Sequence, residues 1–147
     1  MPIEGDYEPS EWKWVADHVD RYESSGGTEG LTLEGKPVVI LTMRGVQSGK
    51  VRKAGVMRVE HDGRYAAIAS KGGDPRNPGW YYNLQADPTV VVRDGPEAYE
   101  MRAREVHGDE RAEWWARGIE VWPQYDGYQA KTDREIPVFV LEPAAKA

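Results

Sequence analysis

No cysteine occurs among the 147 residues. Disulfide bracing, thiolate nucleophiles and iron–sulfur ligation are thereby excluded, and a cytoplasmic chain is the default expectation. No apolar run approaches the ~20 residues of a membrane-spanning helix. The first residues, Met1-Pro2-Ile3-Glu4-Gly5-Asp6, lack the basic and apolar regions of a signal peptide. His18, His61 and His107 have no second ligand at helical or hairpin spacing, so no metal is expected. There is no Gly-x-Gly pair for a dinucleotide fingerprint and no Gly-x-Ser-x-Gly nucleophile elbow. Basic residues are in deficit, 19 against 25 acidic, and the net charge of −6 argues against a general nucleic-acid binder.

Phenylalanine is nearly missing, with one residue, but there are six Trp and eight Tyr. Each joins a large apolar body to one polar atom, which suits a wall facing a flat, partly polar ligand and equally suits a small core. The length fits a single domain, expected over 1–147, and is too short for two ordinary ones. Charge is unevenly spread. Residues 1–35 carry nine acidic side chains against Lys13 and Arg21, whereas residues 44–58 carry Arg44, Lys50, Arg52, Lys53 and Arg58 and no acid. A positive segment inside an acidic protein points to a small anion as its target. The alternative is a solvated hairpin edge whose cations discourage strand pairing.

Spacing predicts an amphipathic helix near 10–24, capped by Ser10, with Trp12, Val15, Val19 and Tyr22 on its apolar face and Gly26-Gly27 as its breaker. Strands are predicted at 37–42, 51–60 and 64–70, the last two joined by the hairpin turn His61-Asp62-Gly63. Asn77-Pro78 reads as a helix start, Asn as cap, for a short helix that stops before Asp87-Pro88. Two more strands, 89–93 and 98–106, flank Asp94-Gly95-Pro96. A helix opens at Asp109, Trp122-Pro123 breaks it, and a Tyr-bearing loop leads to a last strand at 136–141. About six mostly antiparallel strands with three peripheral helices make an α+β domain, an open sheet or a small barrel.

Three stretches carry candidate chemistry. Gly45-Val46-Gln47-Ser48-Gly49-Lys50-Val51 is one residue short of a P-loop and has Val51 where a hydroxyl would hold magnesium, so it is not an NTPase loop. It still offers convergent backbone N–H groups with Lys50 and Arg52 beside them, which suits an anion. Ala69-Ser70-Lys71-Gly72-Gly73, leading to Asn77-Pro78-Gly79-Trp80-Tyr81, combines a hydroxyl, a cation, two glycines for close approach to a flat ring and a helix N-terminus. Trp122, Tyr125 and Tyr128 recur at every third residue, either as one face of a helical turn packed on the core or as the lid of a pocket.

In order and spacing, these stretches resemble the deazaflavin-dependent nitroreductase-type reductases of actinobacteria. The resemblance runs from about Lys36 to Pro143 and also draws on Asn83-Leu84, Asp87-Pro88, Thr132-Asp133-Arg134 and Ile136-Pro137-Val138. It implies a split β-barrel related to flavin-binding oxidoreductases, with the 8-hydroxy-5-deazaflavin coenzyme F420 as cofactor. Ser48, Gly49, Lys50 and Arg52 would then hold the coenzyme's phosphate and glutamate tail. Ser70, Lys71 and Gly72 would face its ring, and Trp80 and Asn83 would line the groove. Tyr125, Tyr128 and Ser70 match substrate-side positions, where a hydroxyl could serve hydride transfer to a small electron-poor acceptor such as a quinone, enone or nitro compound. Trp122 stands where the nitroimidazole-reducing members carry a third Tyr. The rival expectations are an FMN-dependent oxidase or reductase on the same barrel, and a non-catalytic cofactor- or lipid-binding module. Split barrels often pair, which leaves monomer and homodimer both open.

Overall fold

The β-branched run after Pro37 is buried without interruption from Val38 to Met43, which requires apolar cover on both of its faces. A computed structural model, which describes residues 3–144, shows how both are covered. The ends of the 1–147 span, Met1, Pro2 and residues 145–147, lie outside the described residues. The run forms β2 (Lys36–Arg44), flanked by β3 (Val51–Met57) and β6 (Thr89–Asp94), both antiparallel to it. Alternation then sorts its side chains. Val39, Leu41 and Met43 point into a cluster with Val90, Val92, Met101, Phe139 and Leu141. Val38 and Ile40 point the other way, onto Val19 and Tyr22 of α1 (Lys13–Ser24).

The remaining strands are β1 (Thr32–Leu33), β4 (Val59–His61), β5 (Arg64–Ile68), β7 (Glu97–Val106) and β8 (Val138–Pro143). Their order is β1-β2-β6-β7-β8-β5-β4, with β3 also on β2. The chain leaving β3 beside β2 therefore continues as β4 on the far edge, and the eight-stranded antiparallel sheet curls into a split barrel. The helix α2 (Gly79–Ala86) seals the barrel interior with Leu84, while α3 (Gly108–Val121) and α4 (Gln124–Lys131) cover the outer face around Ile68, Val138 and Val140. None of the helices among the described residues is long and apolar enough to cross a membrane.

Several expectations change. The single strand expected at 51–60 is broken at Arg58, where the chain changes sheet edge; the Arg58 amide donates to Pro37 O (2.9 Å) and its guanidinium grips Asp94 (2.8 Å). With the two-residue β1, this brings six strands to eight. The loop expected after Trp122-Pro123 is the helix α4, because packing on α3 and on the turn at Lys71–Gly73 outweighs the poor helix propensity of Gly127. The first helix begins at Lys13 rather than after Ser10, whose hydroxyl accepts the Trp12 amide in a turn (3.2 Å). Trp12 leaves the apolar face, at 62% exposure. Pro78, not Asn77, precedes the first turn of α2.

Tyr22 ties α1 to the barrel. It is fully buried, its hydroxyl faces the carbonyls of Val38 (3.1 Å) and Arg93 (3.3 Å), and it accepts the Gly95 amide (2.7 Å). Behind it the chain turns at Gly27, where a Cβ would lie 1.9 Å from Gly95 O, so only glycine fits. Tyr22→Phe strands the Gly95 amide and should cost about 1–3 kcal/mol, read as a lower urea midpoint at unchanged slope.

Candidate functional site

The turn between β2 and β3 is closed by Gly45 N to Lys50 O (2.8 Å) and Gly49 N to Gly45 O (2.9 Å). Arg44 braces it by donating to Gly49 O (2.8 Å), and Asn83 of α2 accepts the Val46 amide (3.0 Å). Residues Asp6 to Glu8 lie alongside Val51 through a parallel bridge, with Glu8 N to Val51 O at 2.9 Å and Val51 N to Asp6 O at 2.8 Å. That register sets the Glu8 carboxylate on the turn. One of its oxygens accepts both the Ser48 hydroxyl (3.0 Å) and the Arg52 guanidinium (3.1 Å). The Ser48 bond first, and the Arg52 charge after it, hold the Glu8 carboxyl below its usual range. Ser48 and Arg52 thus already seat an anion, one supplied by the chain itself.

This seat opens into a cavity of about 590 Å³ walled by Gln47, Arg52 and Lys53 on one side and by Trp80 and Asn83 on the other. A second cavity, of about 610 Å³, is lined by Ser70, Lys71 and Gly72, by Trp122, Tyr125 and Tyr128, and by Trp14 of α1. Gly55 and Trp80 line both, so the two form one groove, cationic at one end and aromatic at the other. Of the residues singled out from the sequence, Ser48, Arg52, Trp80 and Asn83 line the first part, and Ser70, Lys71, Gly72, Tyr125 and Tyr128 the second. Gly49 and Lys50 sit in the same turn but outside the wall, with the Lys50 side chain exposed.

The segment Ser70–Asn77 is held against its own preferences. Lys71, Gly72 and Gly73 all have positive φ (46°, 64° and 84°), which a lysine rarely adopts. Gly73 meets α4 so closely that a Cβ would lie 2.9 Å from Tyr128 O. Arg134 keeps this shape: its guanidinium donates to Ser70 O (2.9 Å), Ala69 O (3.2 Å), Asp74 O (2.9 Å) and Asn77 Oδ1 (2.7 Å). The Asn77 side chain is therefore a clamp point for Arg134, not a helix cap. Nearby, hydrogen bonds from Arg76 hold the Asp74 carboxyl at a pKa of about 2.

The aromatic wall is ordered from within. Tyr125 is buried against Trp115 (6.0 Å between ring centroids) and edge-on to Tyr128 (6.2 Å). Burial pushes its hydroxyl well above the usual tyrosine range, so it stays neutral at physiological pH. Trp122 donates its indole N–H to the Tyr128 hydroxyl oxygen (3.2 Å). An indole can only donate, so Tyr128 must accept there, and its own proton is left to point elsewhere. The stripe packs on the core, one of the two alternatives left open for it, and Trp122 and Tyr125 of that outer-face core also line the cavity.

Glu8 and Trp14 are part of this site without having been singled out. Arg134 entered only with the stretch Thr132-Asp133-Arg134, which gives no hint of its clamping role, since its partners lie 57 to 65 residues away.

The split barrel thus carries one groove, with an anion seat at one end and an aromatic wall at the other, a shape suited to a flat, anionic ligand. The family model for F420H(2)-dependent quinone reductase matches residues 14–143. An F420H(2)-dependent quinone reductase of Mycobacterium tuberculosis is 36% identical over 128 residues, 84% of this chain and 86% of the relative. A solved F420-H2 dependent reductase (FDR-A) is 51% identical, with a TM-score of 0.69 over 72% of this chain and 94% of that one. Another solved structure, a domain-swapped dimer, is 46% identical, with a TM-score of 0.72 over 90% of this chain and 100% of that one. The chain belongs to the F420H(2)-dependent quinone reductase family, and is accordingly an oxidoreductase whose cofactor is coenzyme F420. Family membership favours a deazaflavin enzyme over the FMN-dependent and non-catalytic alternatives.

If Glu8 occupies the anion seat, Glu8→Gln should raise the affinity of the cofactor-free protein for inorganic phosphate several-fold in a calorimetric titration. An unchanged affinity would show that the carboxylate does not compete for Ser48 and Arg52.

Proposed function

We infer that residues 3–144 act as one cytoplasmic reductase domain that binds F420 along this groove and reduces a quinone. The observation that carries the reading is the continuity of the groove, with donors already holding a carboxylate at one end and an aromatic, glycine-lined cavity at the other. That donor set fits the coenzyme: Ser48 and Arg52, helped by Gly49 and Lys50 of the same turn, take its phosphate and tail. Trp80 and Asn83 flank the groove between, and Ser70, Lys71 and Gly72 face the ring. When bound in its reduced form, the coenzyme supplies a hydride.

The protein's part is alignment and one proton. Arg134 fixes the Ser70–Gly72 backbone so that the ring meets a preformed surface, and Trp14, Met57 and Trp122 keep the cavity apolar. A quinone that accepts a hydride builds negative charge on an oxygen. Tyr128, whose oxygen is spoken for by Trp122, is the group that donates a proton or hydrogen bond to it, with Tyr125 and Ser70 beside it. The names of the family and of the mycobacterial relative support a quinone over an enone or nitro acceptor. A homodimer is part of the same reading, supported by the domain-swapped dimer among the similar structures.

Fluorescence titration of the cofactor-free protein should show saturable F420 binding and much weaker FMN binding; the reverse preference would overturn the cofactor placement. Arg52→Ala should weaken F420 binding by about tenfold or more. Tyr128→Phe should lower kcat for quinone reduction by about a hundredfold, within the usual range for losing a general acid, and leave the F420 dissociation constant unchanged. An unchanged kcat would remove Tyr128 from the proton-donor role.

A further inference from the structure

Beneath α1 the aromatic end of the groove continues into a smaller chamber of about 80 Å³. Trp14, Leu33, Gly55, Val56 and Met57 line both spaces, and the chamber adds Val15, His18, Val19 and Val38. Val19 and Val38 are almost fully buried, and no charged Asp, Glu, Lys or Arg reaches the wall. The one polar side chain, His18, already donates through Nε2 to Gly30 O (2.8 Å). At the mouth stands Trp14, 57% exposed although it lies on a helix whose neighbours pack on the barrel.

Gly55 is the junction. It lines the cationic cavity, the aromatic cavity and the chamber alike. Its backbone does not call for glycine, since it lies in β3 outside the positive-φ set and an added Cβ would meet only Ile40 Cδ1 at 3.7 Å, an ordinary contact. What a side chain there would take away is space. The chamber has about half the ~150 Å³ that accommodates a benzene in an apolar cavity, so three or four carbons fit and a second ring does not. Water gains little in such a place, which lacks the two to four polar partners it needs.

We propose that this chamber is a subsite for a short alkyl substituent, of three or four carbons, on the acceptor's ring, and that Trp14, Val19 and Val38 set which substituents are favoured. The inference rests on the reading of the aromatic cavity as the place where a quinone is reduced. It adds a direction to that cavity: the quinone ring lies toward Tyr128 and Ser70, and its apolar arm runs back under α1.

The test is a series of 1,4-naphthoquinones bearing no substituent or a 2-methyl, 2-propyl, 2-butyl or 2-hexyl chain. Two readouts are taken: kcat/KM with reduced F420, and the dissociation constant from quenching of tryptophan emission in the cofactor-free protein. Both should improve by about fourfold per carbon at most, the value of a fully buried methylene, and level off at propyl or butyl. Val19→Ala should move the plateau outward by one or two carbons, and Val19→Phe should lower the propyl-to-unsubstituted ratio toward one. Val19→Leu gives the smaller increment if the Phe variant does not fold. Ratios unchanged across the Val19 variants, or a gain that rises through hexyl without a plateau, would overturn the subsite. Failure of reduced F420 to reduce the unsubstituted quinone would instead overturn the function on which it rests, and the binding series in the cofactor-free protein keeps the two failures apart.

Discussion

A strand buried on both faces has to be covered twice, and the placement of nearly everything else follows from how β2 meets that demand. Each of its five buried apolar side chains contributes about 1.5–3 kcal/mol only if water is excluded from its own side. The curl of the sheet covers Val39, Leu41 and Met43, and α1 covers Val38 and Ile40. Laying α1 there puts Trp14 over the aromatic end of the groove, and the segment leading into α1 carries Glu8 to the cationic end. The site is in this sense the open margin of the core.

The two ends of the groove are built on different principles. At the cationic end the backbone turn is ordinary, and recognition comes from side-chain charge in contact with solvent, where screening by salt is strong. At the aromatic end charge is scarce and geometry is enforced: three successive left-handed residues, a glycine pressed on α4, and one guanidinium spending its donors on four acceptors of the same loop. Strain of this kind persists only where the surroundings over-determine it. A flat ligand meeting such a preformed surface loses less to reorganisation than one that must order a loop on arrival.

Much of the fold could be read from the sequence because its signals are local. The hairpin at Asp62-Gly63, with φ of 53° and 80°, is a turn that only such residues form readily, and the β-branched run of β2 announces a buried strand. The break at Arg58 was not legible, since both flanking stretches remain strand-like and what changes is the partner. The helix α4 was hidden by Pro123 and Gly127, whose weak propensity is overruled by tertiary contact. The apolar face of α1 keeps Val19 and Tyr22, but the helix starts after Trp12, and nothing local says that Trp14 rather than Trp12 faces the groove. The glycine-and-cation stretches do line the groove, whereas Arg134 and Glu8 act across 40 residues or more and leave no periodic trace.

The seat formed by Ser48 and Arg52 is a contest between an incoming anion and a carboxylate tethered to the same chain. A tethered competitor acts at an effective concentration set by its linker, here a few residues paired to Val51, and it reduces the apparent affinity by the fraction of time the seat is free. The strength of that competition is therefore set by the pairing of Asp6–Glu8 with Val51, and a change that loosens this pairing frees the seat without touching Ser48 or Arg52.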